Sequence, residues 1–193
     1  MKRLCVFCGS NRGGRAGYVT ATRELASTIV GSGLSLVYGG GKVGLMGALA
    51  DEVLRLGGEV TGVIPRALME REVGHTGLTD LRVVETMHER KATMADLADG
   101  FLALPGGLGT LEEIFEVWTW AQLGMHRKPI GFLDIGGYYE LLAEFLDQAA
   151  REGFVRRQHR AIAIIDRDPA VLIEKMRTYT PPAVEKWIDR DEV

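Results

Sequence analysis

One pattern constrains the fold of this chain most: a short apolar run is followed by a turn and then by a helical segment, and this order repeats along the sequence. Leu4–Phe7 is such an apolar run, and apolar side chains then recur every three or four residues from Ala16 to Val30. That spacing is typical of a helix with one buried face. The order occurs about six times, so it predicts an α/β fold in which helices cover both faces of a parallel sheet.

The later apolar runs predict the remaining strands of this sheet. They are Leu34–Tyr38, Glu59–Ile64, Leu81–Val84, Phe101–Leu104, Ile130–Leu133 and Ala161–Ile165. No linker, internal repeat or low-complexity tract interrupts the series, so residues 1–180 are predicted to form a single Rossmann-like, nucleotide-binding domain. Residues 181–193 begin with two prolines and are rich in charge, and we expect them to form a flexible tail.

Composition excludes several classes of partner and location. Lys and Arg total 23 against 26 Asp and Glu, for a net charge of −3, which predicts no broad basic face and no nucleic-acid partner. The sequence contains no run of 18 apolar residues, so no membrane span is predicted, and the first residues lack the pattern of a signal peptide. Cys5 and Cys8 are too few for a disulfide framework. We therefore expect a cytoplasmic protein with no membrane partner.

Cys5 and Cys8 have the C-x-x-C spacing of a metal motif, and we interpret them as buried thiols. No second cysteine pair supplies further ligands, and the four histidines show no metal-binding spacing. The sequence therefore predicts no metal site.

Glycine makes up 25 of the 193 residues, nearly twice the usual proportion, and two clusters follow predicted strands. The first, residues 39–44, fits G-x-G-x-x-G. An NAD-dependent oxidoreductase is one alternative, but the next strand ends in Ile64-Pro65 without the acidic residue that binds a ribose hydroxyl. A P-loop is excluded because Val43 follows Lys42. Contact of a nucleotide or phosphate with Gly40 and Gly41 is favoured over a turn made for close helix packing.

The second cluster, residues 105–113, is the more specific signal. Gly106, Gly107 and Gly109 allow backbone N–H groups to approach an anion, the helix that follows directs its positive end there, and Thr110 adds a hydroxyl. A capping box of Thr110 with Glu113 is the alternative interpretation, but it leaves three glycines unexplained. The sequence therefore predicts a phosphate site at Gly106, Gly107, Leu108, Gly109 and Thr110.

A basic segment precedes this cluster. Met87, Arg90, Lys91 and Met94 are spaced to share one helical face, so both cations can point the same way. Two neighbouring cations on a helix are often only solvated. Here the helix leads into the strand that carries the glycine cluster, and we expect Arg90 and Lys91 to offset the charge of a phosphate and of Glu113.

Together these motifs resemble the LOG (Lonely Guy) family of cytokinin riboside 5′-monophosphate phosphoribohydrolases. The likeness runs from about Arg3 to Asp166, and its most specific part is the pairing of Glu-Arg-Lys at residues 89–91 with the motif at 105–113. It implies hydrolysis of the N-glycosidic bond of an N6-modified AMP, with a nucleoside monophosphate as substrate and neither a metal nor a cofactor.

The resemblance also implies roles for individual residues. Arg90 and Glu113 match the pair on which activity depends. Family substrate contacts match Glu72, Lys91, Gly107, Leu108, Gly109, Thr110 and Thr119. The predicted substrate-binding residues also include Gly9, Ser10, Gly40, Gly41, Met87 and Gly106, from the motifs that carry the resemblance. The family has also been labelled lysine decarboxylase, but no lysine of this sequence lies in a recognisable pyridoxal-phosphate motif.

A mechanism follows from the charges that these residues carry. Breaking the bond between ribose and base builds positive charge on the sugar, as in glycoside hydrolysis. An ionised Glu113 could stabilise that charge or orient the attacking water, and we expect the helix N-terminus and Arg90 to favour its charged form. A nucleotide carrier related to the molybdenum-cofactor carrier proteins is the alternative, since it could use the phosphate loop without chemistry.

Trp118 and Trp120 are the basis for an expected homodimer. Alternate positions of a helix face different ways, so at least one of the two rings is expected to pack outside the core of a single chain. The small members of the family that the sequence resembles are dimers, which agrees with that expectation.

Overall fold

Seven parallel strands form one sheet in the computed structural model, which describes residues 1–69 and 74–182. The strand order is β4-β3-β2-β1-β5-β6-β7, and every neighbouring pair is parallel. The strands are β1 Arg3–Phe7, β2 Ser35–Tyr38, β3 Val60–Pro65, β4 Asp80–Val84, β5 Gly100–Ala103, β6 Ile130–Leu133 and β7 Ala163–Asp166.

Helices connect the strands and cover both faces of the sheet. They are α1 Ala16–Gly31, α2 Gly44–Arg55, α3 Arg66–Met69, α4 Met87–Leu97, α5 Leu108–Gln122, α6 Glu140–Arg151, α7 Arg157–Arg160 and α8 Pro169–Arg177. Among the helices of the described residues, none is long and apolar enough to cross a membrane.

The central strand shows how the two faces are filled. Successive side chains of a strand point to opposite faces, and in β1 Leu4 and Val6 join one apolar cluster while Cys5 and Phe7 join the other. The first cluster contains the buried faces of α1, α2 and α8, and the second contains those of α4 and α5. The predicted α/β fold, a parallel sheet with helices on both faces, is confirmed.

The predicted elements agree with the observed ones except for two single-turn helices. The bounds of most strands and helices lie within two residues of their predicted positions. Helices α3 and α7 were not predicted, because four residues are too few to show a helical period. Residues 183–193 of the predicted tail lie outside the described residues.

The order of the strands places a crevice beside the centre of the sheet. From β1 the chain builds outward through β2, β3 and β4, and it then returns to add β5 on the other side of β1. The loops that leave β1 and β5 therefore diverge towards opposite faces, and ligands of such sheets bind between them. The segment after Phe7 and the glycine cluster after Ala103 both lie there.

Candidate active site

Two adjoining cavities occupy the crevice at the carboxyl ends of β1 and β5. The first has a volume of about 340 Å³ and the second about 290 Å³, and both are bordered by Ser10 and Gly107. The first is lined by Cys8, Ser10, Met46, Leu68, Met87, Arg90, Gly107, Leu108, Gly109, Thr110, Glu112 and Glu113. The second is lined by Gly9, Ser10, Asn11, Arg12, Gly13, Tyr18, Leu45, Pro105, Gly106, Gly107 and Tyr138.

The N-terminus of α5 presents unpaired backbone N–H groups to the first cavity. Its N-cap is Gly107, and no side chain among the described residues caps it. Leu111 N–H donates the first bond of this helix to the Gly107 carbonyl, at 3.1 Å. The N–H groups of Leu108, Gly109 and Thr110, which we call the α5 amides, therefore have no partner within the helix. Backbone N–H groups at the positive end of a helix dipole are suited to bind an anion.

The capping-box interpretation of Thr110 and Glu113 is wrong. The helix begins at Leu108, so Thr110 lies inside its first turn and is buried. A residue at that position cannot cap the helix that contains it. The predicted phosphate site loses its competing explanation.

The glycines of this loop serve two different purposes. A Cβ on Gly106 would overlap the Thr110 side chain, so packing requires a glycine there. A Cβ on Gly107 or Gly109 would meet nothing within 4 Å, and the φ of −91° at Gly107 suits any residue. Packing among the described residues therefore does not explain Gly107 and Gly109, whereas close approach of a ligand does.

Arg90 and Glu113 form a buried ion pair in the wall of the first cavity. Nη1 of Arg90 lies 3.3 Å from Oε1 of Glu113, and the two residues are 7% and 9% exposed. The guanidinium also donates to the carbonyls of Val63 at 3.2 Å and Gly39 at 3.3 Å. These bonds fix its orientation, since Val63 lies within β3 and Gly39 directly follows β2.

Burial controls the protonation of Glu113. Loss of hydration raises the pKa of this carboxyl above its usual range, and the neighbouring Arg90 only limits the rise. We expected the surroundings of Glu113 to favour its charged form. Arg90 does favour it, but burial has the larger effect on the pKa, so the expectation is wrong for the two effects together. Glu113 retains its proton to a higher pH than an exposed glutamate does.

The cysteine side chains are buried free thiols, as predicted. Burial raises the pKa of Cys8 and that of Cys5 well above the usual range of a thiol. Although Cys8 borders the first cavity, its thiol stays protonated and is a poor nucleophile.

Lys91 reaches α5 but does not line either cavity. Its ammonium lies 2.6 Å from Glu112 and 3.0 Å from Glu116. Burial opposes the charge of Lys91, but the hydrogen bonds to these two carboxylates outweigh it and raise the pKa of the amine. The two cations of α4 therefore share a general direction, as predicted, but Lys91 joins α4 to α5 and only Arg90 borders the cavity.

The first glycine cluster, residues 39–44, is packed against protein. Gly40 has a φ of +76°, and a Cβ there would press on Val63 and Ile64. Its carbonyl accepts the N–H of His75 at 2.9 Å, and the Gly41 carbonyl accepts the Tyr38 hydroxyl at 3.2 Å. Among the described residues, neither Gly40 nor Gly41 lines either of the two cavities, although the neighbouring Gly39 accepts a hydrogen bond from Arg90.

The remaining predicted residues divide between the crevice and other places. Gly9 and Ser10 border the crevice, and Gly9 N–H donates to the Pro105 carbonyl at 3.2 Å. Met87 lies in the wall of the first cavity. Thr119 is exposed on α5, and its hydroxyl donates to the Phe115 carbonyl at 2.8 Å. Glu72 lies outside the described residues.

Several residues of the crevice were not found from the sequence. Tyr138 borders the second cavity, and its hydroxyl donates to the Gly106 carbonyl at 2.5 Å. A third strand-end glycine pair, Gly136-Gly137, precedes it and could have indicated it. Arg12 belongs to no motif whose spacing implies a site, and Met46, which follows the first glycine cluster, was not predicted as a site residue. Only their position in the fold reveals them.

Comparison with known proteins gives consistent relatives. A family model described as possible lysine decarboxylase matches residues 46–176. The cytokinin riboside 5′-monophosphate phosphoribohydrolase LOG of Oryza sativa subsp. japonica is 48% identical, over 93% of this chain and 74% of that protein. The corresponding LOG1 of Arabidopsis thaliana is 47% identical, over 93% of this chain and 84% of that protein.

Solved structures share the fold at lower identity. The molybdenum cofactor carrier protein of Chlamydomonas reinhardtii matches with a TM-score of 0.67 and 17% identity, over 92% of this chain and 99% of that one. The molybdenum cofactor binding protein of Rippkaea orientalis matches with a TM-score of 0.67 and 19% identity, over 92% and 97%. At this identity the likeness concerns the fold alone.

Proposed function

The chain belongs to the LOG family of cytokinin riboside 5′-monophosphate phosphoribohydrolases, and from that premise we propose the reaction of its own site. The chain hydrolyses the N-glycosidic bond of adenosine 5′-monophosphates with an N6 substituent, releasing the free base and ribose 5-phosphate. One observation carries the proposal: the α5 amides and the Arg90–Glu113 pair lie in the wall of the same cavity.

The α5 amides supply the binding of the phosphate. A phosphate accepts several hydrogen bonds, and three unpaired N–H groups at the positive end of a helix suit its oxygens. Gly107 and Gly109 leave space for it, because no side chain projects from either residue. A substrate held at this end of α5 places its ribose towards Glu113, which lies one turn further along the helix.

Glu113 acts on the carbon from which the base departs. As the bond to the base breaks, its electron pair leaves with the base and positive charge grows on the ribose. The carboxylate stabilises that charge, and it accepts a proton from the water that attacks the same carbon. Because the group is buried, its charge is weakly screened and acts strongly on the reacting atoms.

Arg90 orients the carboxylate and does not donate a proton. A guanidinium has a pKa above about 12, so it cannot serve as an acid at neutral pH. Its Nε and Nη2 donate to the carbonyls of Val63 and Gly39, which leaves Nη1 to contact Glu113. Arg90 therefore holds Glu113 in position and limits the rise in its pKa.

A lysine decarboxylase, the activity in the description of the matching family model, is not supported by this site. An amine that forms a Schiff base is activated by a lowered pKa. Lys91 has a raised pKa and is held by Glu112 and Glu116, and among the described residues no lysine lines either cavity.

A carrier that holds a nucleotide or a cofactor without reaction remains the second candidate, on the observation that the matching solved structures are molybdenum cofactor proteins. Holding a ligand gives no reason to bury a carboxylate against an arginine in the cavity wall, since burial of that pair costs hydration energy. The Arg90–Glu113 pair favours the enzyme.

We extend the proposal to a homodimer in the cytoplasm. Thr119 does not line either cavity of its own chain, so the substrate contact predicted for it requires a second copy. Trp118 is buried, whereas Trp120 is only partly covered, which leaves an aromatic ring available to a partner. Free thiols suit a reducing compartment. Sedimentation at micromolar concentration tests the assembly, and a monomer there contradicts it.

Incubation with isopentenyl-AMP and with AMP, followed by chromatography for free base, tests the reaction. Glu113→Gln should lower kcat by about 10²–10³, the usual cost of removing a preorganised group of this kind. The acid limb of the wild-type pH profile should lie above the range of an exposed glutamate, because the carboxylate must be ionised and burial raises its pKa.

Glu116→Gln is the matched control for this experiment. Glu116 lies on the same helix and contacts Lys91 but does not border the cavity, so its variant should keep wild-type kcat. If both nucleotides stay intact with the wild-type protein in excess, the proposed function is wrong.

A further inference from the structure

Among the described residues, the first cavity has no positive side chain that is free of a carboxylate partner. Two cations, Arg90 and Lys91, face three carboxylates, Glu112, Glu113 and Glu116. Each cation lies against at least one of these carboxylates, and the group carries more negative than positive charge. A phosphate dianion entering beside them is opposed by that charge unless a further cation contributes.

Arg12 is the basic side chain that can supply this charge. It borders the second cavity, which adjoins the first at Ser10 and Gly107, the N-cap of α5. Among the described residues that line the two cavities, Arg12 and Arg90 are the only basic ones. Arg12 makes no ion pair within the described chain, so its charge is available to a ligand.

The loop that carries Arg12 is anchored at both ends. Gly9 donates to the Pro105 carbonyl at 3.2 Å and accepts the Leu45 N–H at 3.0 Å. Gly13 has a φ of +73° and packs against the Tyr18 ring, where a Cβ would come within 2.6 Å of a ring carbon. Arg12 therefore projects from a short span between two fixed points, which keeps its guanidinium beside the crevice.

Arg15, a second arginine close to Arg12 in the chain, is bonded to another part of the protein and serves as a comparison. Its guanidinium donates to the Gly136 carbonyl at 3.4 Å, and it lines neither cavity. The two arginines have the same chemistry and lie three residues apart, and they differ in whether they border the crevice.

We propose that Arg12 binds the 5′-phosphate from the second cavity, opposite the α5 amides, and so makes the site select nucleoside monophosphates over nucleosides. The inference rests on the proposed function and adds a specificity residue to it. The planar fork of a guanidinium pairs with two phosphate oxygens at once. Because no existing ion pair has to break, the whole interaction contributes to binding.

Steady-state kinetics of Arg12→Gln with a nucleoside monophosphate tests the proposal. KM should rise about tenfold, as expected for loss of a charge-assisted bond at an exposed site. The value of kcat should stay near that of wild type, since Arg12 does not contact Glu113. The difference should shrink as salt is added, because an exposed charge is screened. Arg12→Lys should recover part of the loss, and Arg15→Gln should behave as wild type.

A binding measurement separates this proposal from the reaction. Calorimetry with ribose 5-phosphate should show weaker binding to Arg12→Gln than to wild type, while binding of the free base should be equal. If Arg12→Gln binds ribose 5-phosphate more weakly but wild type hydrolyses no nucleotide, the proposed function is refuted and the role of Arg12 is supported. Hydrolysis by both proteins, with equal KM and equal binding of ribose 5-phosphate, would overturn the role of Arg12 and leave the function intact.

Discussion

Two glycine loops of similar appearance, after β2 and after β5, perform different tasks in this protein. The loop at residues 39–44 is closed: Gly40 and Gly44 have positive φ angles, and a Cβ on Gly39, Gly40 or Gly44 would press on neighbouring protein atoms. The loop at residues 106–109 is open at Gly107 and Gly109, where a Cβ would meet nothing. A glycine pattern alone does not say whether the space serves the protein or its ligand.

The helices that follow the two loops show the same difference. Neither α2 nor α5 has a side-chain cap among the described residues. In α2, the Leu45 N–H is bonded to the Gly9 carbonyl at 3.0 Å, so protein occupies one of the amides at that helix end. In α5 the corresponding amides face a cavity. One amide of the α2 end is thus bonded to protein, whereas the α5 amides make no such bond among the described residues, although both helices follow a glycine-rich turn.

Gly39→Ala should have the largest effect, because the closed loop packs directly against the reacting pair. A Cβ at this position would overlap Nη2 of Arg90, and the displaced guanidinium would no longer hold Glu113. We expect kcat/KM to fall about hundredfold, as a small misplacement of reacting groups commonly does. Steady-state kinetics with isopentenyl-AMP measures this.

Gly17→Ala is the control for Gly39→Ala, since a Cβ on this helical glycine meets nothing within 4 Å. It should leave the activity unchanged. Wild-type kcat/KM in Gly39→Ala would show that Arg90 does not need its observed position.

Gly109→Ala should have a smaller effect: it should stabilise the fold and weaken the binding of the substrate. The position is helical and a Cβ there is unobstructed, so urea unfolding should show a gain of about 0.5–1 kcal/mol. The methyl group would occupy space that the ligand needs, and KM should rise about tenfold, equivalent to about 1.4 kcal/mol. A gain in stability with unchanged KM would mean that no ligand approaches this glycine.

The fold followed from the sequence because periodicity reports which side chains are buried. The alternation from Leu4 to Phe7 and the helical spacing from Ala16 to Val30 were sufficient to assign a parallel sheet with two covered faces. The role of Thr110 was less accessible, because this residue fits a capping rule that the actual helix start at Leu108 makes irrelevant.

Within the site, the identity of the residues was easier to predict than their surroundings. Arg90 and Glu113 were found from their motifs, and the structure pairs them. The net rise in the pKa of Glu113 depends on how deeply the tertiary structure buries it, which no local pattern records. The direction of Lys91 depends on Glu112 and Glu116, one and two turns into another helix.

The attachment of Arg90 to the ends of β2 and β3 has a consequence for how this protein can change in evolution. The arginine that pairs with Glu113 is tied to the sheet, whereas the proposed phosphate site is bordered by the first turn of α5 and by the loops at residues 9–13 and 105–107. Mutations in those loops can alter which nucleotides are accepted while the step that cleaves the bond stays intact. Substrate specificity can therefore change in this fold while Arg90 and Glu113 stay the same.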